Sequence, residues 1–175
     1  MENIIFIGGI HGVGKGTLCH KVCSEFNLNH ITASEILKWD EISRRDNKLV
    51  EDFFLTQNRL INNLQEIIDK KSNYILDGHY CLLNSKQIPE RIDFETFNLL
   101  QPLAFVIVID DVSEIKSRLE VRDQKKYEYD LLQMFQEMEL EYSIELSKKL
   151  KKPHLILGKN ESDKLKSFLF NANFT

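Results

Sequence analysis

Gly8-Gly9-Ile10-His11-Gly12-Val13-Gly14-Lys15-Gly16-Thr17 is the stretch that decides the fold. It follows Asn3-Ile-Ile-Phe-Ile-Gly8, an apolar, β-rich run of the kind that forms a strand buried on both faces. It precedes a helical stretch from about Lys15 to Phe26. A strand, then G-x-x-x-x-G-K, then a helix is the context a phosphate-binding loop requires. Glycines let the backbone curl so that successive N–H groups point inward onto phosphate oxygens. The helix start adds its positive end, and Lys15 adds a point charge for the β- and γ-phosphates. The competing reading is a Gly-rich tight turn with a solvated lysine; strand, spacing and helix together favour the phosphate loop.

Working outward, strands and helices alternate. His30-Ile-Thr is a short second strand. Ser34 to Arg45 and Leu49 to Lys70 read as helices, the latter with Leu60, Ile61, Leu64, Ile67 and Ile68 at three-and-four spacing. Tyr74-Ile-Leu-Asp77 is a third strand, and Gly78 to about Pro102 has no regular pattern. Leu103 to Ile109 is the strongest strand. Helices follow over Ser113–Arg122 and from about Tyr129 to Lys152, with a polar break between them. Pro153 to Leu157 is a last strand and Ser162 to Phe170 a closing helix. This order predicts one α/β domain, a three-layer α/β/α phosphate-loop fold around a parallel five-stranded sheet.

Composition bounds the partners. The 175 residues, 42% hydrophobic and 29% charged, suit one globular domain with a sizeable core. No apolar run approaches the roughly 20 residues of a membrane span, and the start has no basic region before its apolar run. The expectation is a cytoplasmic protein with no membrane partner. Twenty-three Lys+Arg against 27 Asp+Glu give a net charge of -4, which disfavours nucleic acid as a broad electrostatic partner. Lys148-Lys-Leu-Lys-Lys152 closes a helix, where cations suit the dipole; a nucleic-acid patch is the other reading. Three cysteines make no disulfide framework. Cys19 and Cys23, with His20 between them, fit no usual zinc-finger spacing and read as small apolar residues on one helix face.

Gly16, not Ser or Thr, follows Lys15, and the hydroxyl comes one place later at Thr17. This shifts the expected Mg2+ contacts to Asp77, at the end of the third strand, and Thr17, both through water. A strand-end Asp could also simply cap a turn, but beside a phosphate loop the metal-side role is favoured. Arg118 and Arg122, four apart, share one helix face. They read either as a guanidinium clamp on phosphate oxygens or as surface residues bridged to Glu114 or Glu120.

Gly12-Val-Gly-Lys-Gly-Thr17 resembles the loop variant of the adenylate kinase-like nucleoside monophosphate kinases. The resemblance extends to His30-Ile-Thr-Ala-Ser-Glu-Ile-Leu-Lys38, Tyr74-Ile-Leu-Asp77-Gly78, Asp111-Val-Ser-Glu114, Arg118-Leu-Glu-Val-Arg122 and Leu155-Ile-Leu-Gly158-Lys159. Asp77-Gly-His79-Tyr-Cys81 and the short gap after Arg122 look closest to the short-lid branch typified by adenylate kinase isoenzyme 6. The resemblance implies an acceptor-binding helical insertion over about 32–71 and a short lid over about 122–130. It implies ATP binding by Gly12, Val13, Gly14, Lys15, Gly16, Thr17, Leu18, Gly158 and Lys159, and catalysis by Lys15, Asp77, Arg118 and Arg122. Thr32, Lys38, Arg44 and His79 stand on the acceptor side. Members are reported as nucleotide kinases and as ATPases, which leaves a protein partner open.

The acceptor side departs from the family. Typical members carry Asp-Gly-Phe-Pro-Arg after the third strand; this chain has Asp77-Gly-His-Tyr-Cys81 and no arginine there. Lys38 stands where an arginine is expected. Arg44, Arg45 and Arg59 could compensate or be solvated helix residues. His79 could orient a water, contact an acceptor phosphate, or make a structural hydrogen bond. Trp39 could stack a base or fill core. The expected activity is transfer of the γ-phosphoryl group of Mg-ATP to a nucleoside monophosphate, AMP or a dNMP. Phosphorylation of another small metabolite, and an ATPase switch acting on a protein or RNA partner, are the alternatives.

Overall fold

A computed structural model of the protein describes residues 3–37, 53–158, 160–172 and 174. The elements in chain order are β1 (Ile4–Gly8), α1 (Lys15–Phe26), β2 (Asn29–Thr32), α2 (Ala33–Leu37), α3 (Phe53–Ile67), β3 (Tyr74–Asp77), β4 (Cys81–Leu83), β5 (Pro89–Arg91), α4 (Phe94–Leu100), β6 (Ala104–Val108), α5 (Val112–Asp123), α6 (Tyr129–Leu150), β7 (His154–Leu157) and α7 (Ser162–Asn171).

β1, β2, β3, β6 and β7 form one parallel sheet in the order β2-β3-β1-β6-β7. β1 lies at its centre, and all five of its residues are buried, as are all five of β6. Helices cover both faces, giving three α/β/α layers: α1 and α7 touch each other and the sheet, while α6 contacts β6, α5 and α4. The register aligns Ile7 with Asp77, Asp77 with Thr32, and Gly8 with Ile107. The carboxyl ends of β1, β2, β3 and β6 therefore finish together, along the edge where open parallel sheets of this class bind ligands.

The stretch over 78–102, without pattern in the sequence, is ordered. β4 pairs antiparallel with β5, Cys81 opposite Arg91. Asn84 shapes the turn: its Oδ1 accepts from the N–H groups of Lys86 and Ile88 at 2.9 and 3.1 Å. Asp93 then caps α4, its Oδ1 accepting from Glu95 N at 2.9 Å. Strands of three residues are too short to show an alternation, which is why periodicity misses them. The hairpin is held from outside by α6, through Arg91 on Glu145 at 2.7 Å and over the Tyr142 ring at 4.9 Å.

Tyr80, just before this hairpin, is fully buried in a ring cluster with Phe6, Phe97 and Phe105, at centroid distances of 4.9, 5.8 and 6.2 Å. Its hydroxyl donates to Val106 O at 2.9 Å, so the buried polar tip is satisfied. The ring lies so close to β1 that a Cβ on Gly8 would come within 2.1 Å of it. Gly8 thus opens the phosphate loop and makes room for the aromatic core. On α3, Leu60, Ile61 and Leu64 are buried as their spacing predicts, but Ile67 is 51% exposed. No helix among the described residues is long and apolar enough to cross a membrane.

Candidate active site

The loop between β1 and α1 takes backbone conformations that only glycine adopts freely: Gly9, Gly12 and Gly14 have φ of 140°, 80° and 102°. At Gly9 a side chain would also meet the Val108 carbonyl at 2.5 Å, so the loop can lie against the end of β6 only because Gly9 has none. Gly14 is the N-cap of α1 and supplies no side-chain acceptor. The first N–H groups of that helix have no intrahelical partner, and this is the electropositive end that an oxyanion suits. Val13 is buried, so its side chain offers nothing to a phosphate; Leu18 packs partly against the core.

Lys15 is buried on the floor of the loop. Its ammonium donates to Gly9 O at 2.6 Å and Ile10 O at 3.3 Å and lies 3.9 Å from Asp77 Oδ1. Asp77, at the tip of β3, is 13% exposed, and its other oxygen, Oδ2, lies 3.9 Å from Nε2 of His30. Thr17 is exposed at the start of α1. A hydroxyl and a carboxylate are the hard oxygen donors that magnesium takes, and the partial exposure of Asp77 leaves room for the water it keeps.

His79 follows Asp77 by two residues and lies under the loop, its ring 4.3 Å from that of His11 and its Nδ1 3.5 Å from Oε1 of Glu139. Sequence reasoning passed over Glu139. It is fully buried on α6, and its Oε1 accepts from Tyr80 N and Cys81 N, both at 2.9 Å. Burial pushes its carboxyl up to about 7, against the opposing pull of the Cys81 N–H, the Lys15 charge, and the Tyr80 and Gly9 N–H groups. One buried carboxylate therefore ties α6 to the β3–β4 connection. A signal was present: Phe135, Glu139, Tyr142 and Leu146 follow three-and-four spacing, and all are buried. A glutamate on an apolar stripe marks a buried polar contact.

The two arginines are engaged with carboxylates other than those the sequence suggested. Arg118 Nη2 pairs with Asp110 Oδ2 at 2.5 Å, and its Nε donates to the Glu114 carbonyl at 3.1 Å. Arg122 forks onto its neighbour Asp123 at 2.7 and 2.8 Å, while Glu120 pairs with Lys116 instead. Asp110, beyond the end of β6, is fixed by Gln136, which donates to its carbonyl and accepts from its N–H. α5 lies directly against the loop, for a Cβ on Gly12 would meet Leu119 at 2.8 Å. The connection from α5 to α6 is only residues 124–128.

On the acceptor side, the hydroxyl of Thr32 is used locally. It donates to Glu35 Oε2 at 2.7 Å and accepts from Glu35 N at 3.2 Å, a reciprocal cap on α2. Lys38, Trp39, Arg44 and Arg45 lie outside the described residues, as does Lys159. Gly158 N donates to Glu161 Oε2 at 2.7 Å. Cys19 and Cys23 are both buried on α1.

Among curated proteins, UMP-CMP kinase 3 of Oryza sativa subsp. japonica is 25% identical over 130 residues, covering 69% of this chain and 59% of that one. The adenylate kinase of Petrotoga mobilis is 30% identical over 112 residues, covering 61% and 50%. The chain thus spans between 50% and 59% of the length of these relatives. Among solved structures, a sugar kinase from Janibacter sp. HTCC2649 superposes with a TM-score of 0.59 at 16% identity, over 100% of this chain and 96% of that one, a likeness of fold. The family model described as AAA domain (AAA_17) matches residues 8–136, from the end of β1 to the middle of α6. With the phosphate loop, the β3 aspartate and α5 all inside that span, the chain belongs to this AAA domain family.

Proposed function

We propose that the protein is an ATP-dependent phosphotransferase that moves the γ-phosphoryl group of Mg-ATP to a nucleoside monophosphate. The observation that carries this reading is the placement of Lys15: buried under the loop, anchored on two loop carbonyls, 3.9 Å from the Asp77 carboxylate. The curated relatives reported above are an adenylate kinase and a UMP-CMP kinase, which supports a nucleotide acceptor. In this reading the N–H groups of Gly12, Gly14, Lys15, Gly16 and Thr17 hold the phosphates, while those of Val13 and Leu18 donate to Ile10 O and Gly14 O. Lys15 neutralises charge on the β- and γ-oxygens. Magnesium, held through water by Asp77 and Thr17, would offset the charge on those oxygens. The family resemblance gives Gly158 and Lys159 the role of adenine contacts. The family resemblance gives Thr32, Lys38, Arg44 and His79 the role of acceptor binding.

Arg118 and Arg122 reach the transferring group by exchanging Asp110 and Asp123 for phosphate oxygens. Arg122 and Asp123 are half and one-quarter exposed, so that exchange gives up a weak pair. Asp110 is only 8% exposed, and the exchange at Arg118 is offset by the new phosphate contact alone. The segment 122–130 then acts as the lid, and its closure excludes water and favours transfer over hydrolysis. The test is ADP release from Mg-ATP, alone and with each NMP and dNMP. Acceptor-dependent release yielding the diphosphate supports the proposal.

One observation favours a second reading, an ATPase switch. The stretch that carries an acceptor-gripping arginine in typical kinases is here tied down by Glu139 through Tyr80 N and Cys81 N, and places a histidine beside the loop. Release of ADP at one rate whatever the acceptor would favour this reading.

A further inference from the structure

His30 is a residue that the phosphotransfer reading does not use. It stands on β2, its side chain 9% exposed, with His20 packed edge-on against its ring at 4.7 Å. Its Nε2 is buried and has no hydrogen-bond partner. Leaving such an atom unpaired is costly, so the position calls for an explanation. Two further donors converge on it. Cys19 Sγ from α1, His30 Nε2 and a carboxylate oxygen of Asp77 all lie within 4.8 Å of one another. Asp77 serves two neighbours with separate oxygens, Oδ1 toward Lys15 and Oδ2 toward His30.

We propose that Cys19, His30 and Asp77 form a binding site for a borderline divalent transition ion of the zinc type, with a fourth position left for water. One sulfur, one imidazole nitrogen and one carboxylate oxygen are a donor set for zinc, cobalt or iron, and not for magnesium. A tetrahedral ion with bonds of about 2.0–2.3 Å draws its donors to within roughly 3.2–3.8 Å of one another. The three side chains therefore need to close by about 1 Å, which small rotations of His30 and Asp77 supply.

Burial, with the Asp77 and Cys23 charges adding to it, holds the Cys19 thiol well above its ordinary value, so the metal-free site carries S–H. Binding then breaks that S–H bond, forms a metal–sulfur bond and releases one proton to solvent. The Lys15 ammonium beside the site weakens the affinity without blocking it, because it occupies the other oxygen of Asp77. Because Asp77 is shared, an ion here withdraws the carboxylate assigned to magnesium, and the two metals compete. The site stands on its three donors and does not depend on phosphoryl transfer.

The test is a Co2+ titration of the nucleotide-free full chain, followed by optical absorption and then displaced by Zn2+. The expected result is one cobalt per chain with a thiolate-to-cobalt charge-transfer band. Cys19→Ser abolishes that band. His30→Gln weakens binding by more than the roughly tenfold that even an outer-shell change costs. Cys23→Ser and Cys81→Ser leave the band in place. Far-ultraviolet circular dichroism shows that each variant is folded, and should Cys19→Ser fail, His30→Gln decides the case. No band at saturating Co2+, a band that survives in folded Cys19→Ser, or binding unchanged in folded His30→Gln would overturn the proposal.

Discussion

Oε1 of Glu139, fully buried on α6, lies 3.5 Å from Nδ1 of His79, two residues beyond the aspartate that ends β3. The same oxygen accepts from the N–H groups of Tyr80 and Cys81. The back of the site is therefore built around a carboxylate that burial holds near neutrality, and its ionisation is coupled to stability.

The sign follows from linkage. The Glu139 carboxyl is raised from 4.5 to about 7 on folding. Its contribution to stability is therefore fully present below about pH 4.5 and is lost as pH rises through 7. Glu139→Gln keeps an acceptor for the two N–H groups and removes the titration. Between pH 5 and 8 the wild type should lose on the order of 2–3 kcal/mol relative to Glu139→Gln. Urea unfolding of both proteins across that range measures the difference; parallel curves would contradict the assignment.

Gly8 is predicted to tolerate no side chain. A Cβ there would lie 2.1 Å from the Tyr80 ring, which is fully buried among Phe6, Phe97 and Phe105. Gly8→Ala should destabilise by about 1–3 kcal/mol or more, as overpacking does. Tyr80→Leu in the same chain should recover part of that loss, a coupling that thermal or urea unfolding of the double-mutant cycle reads directly.

Sheet, phosphate loop and most helix positions were legible in the sequence because each carries its own local signal. β1 and β6 are continuous apolar runs, and α1 begins at Lys15 as the glycine spacing demands. The β4–β5 hairpin and α4 were not legible. Cys81–Leu83 and Pro89–Arg91 are too short for a period, and what holds them is Glu139, Tyr142 and Glu145, more than fifty residues away in the chain. The site divides in the same way. Lys15 and Asp77 follow from motif and strand end, whereas His30 and Glu139 owe their place to tertiary packing, and only the apolar spacing around Glu139 hinted at it.

Arg118 distinguishes a clamp from a surface pair. Its partner Asp110 is only 8% exposed, so Arg118→Ala, which takes a charged donor from a buried carboxylate, should cost about 2–3 kcal/mol of stability. If Arg118 also meets the transferring group, phosphoryl transfer should fall by about a thousandfold. Arg118→Lys should restore stability but little of the rate, because a point charge lacks the guanidinium fork. Stopped-time assays beside melting curves separate the two effects.

Thr32 offers a contrary case. Its hydroxyl is engaged with Glu35 in the α2 cap, so Thr32→Ala should cost about 1 kcal/mol of stability. The KM for the acceptor under saturating Mg-ATP tests its second role. A rise of tenfold or more is expected if Thr32 also touches the acceptor, and an unchanged value assigns it to the cap alone.

The most direct test of the central claim follows the γ-phosphoryl group itself. Mg-ATP labelled at that group is incubated with the protein and each nucleoside monophosphate, and the label is located by chromatography. The account predicts label in one nucleoside diphosphate, with Lys15→Ala reducing the rate at least about a hundredfold in a folded chain. Label appearing only as inorganic phosphate, at a rate that no acceptor changes, would contradict it.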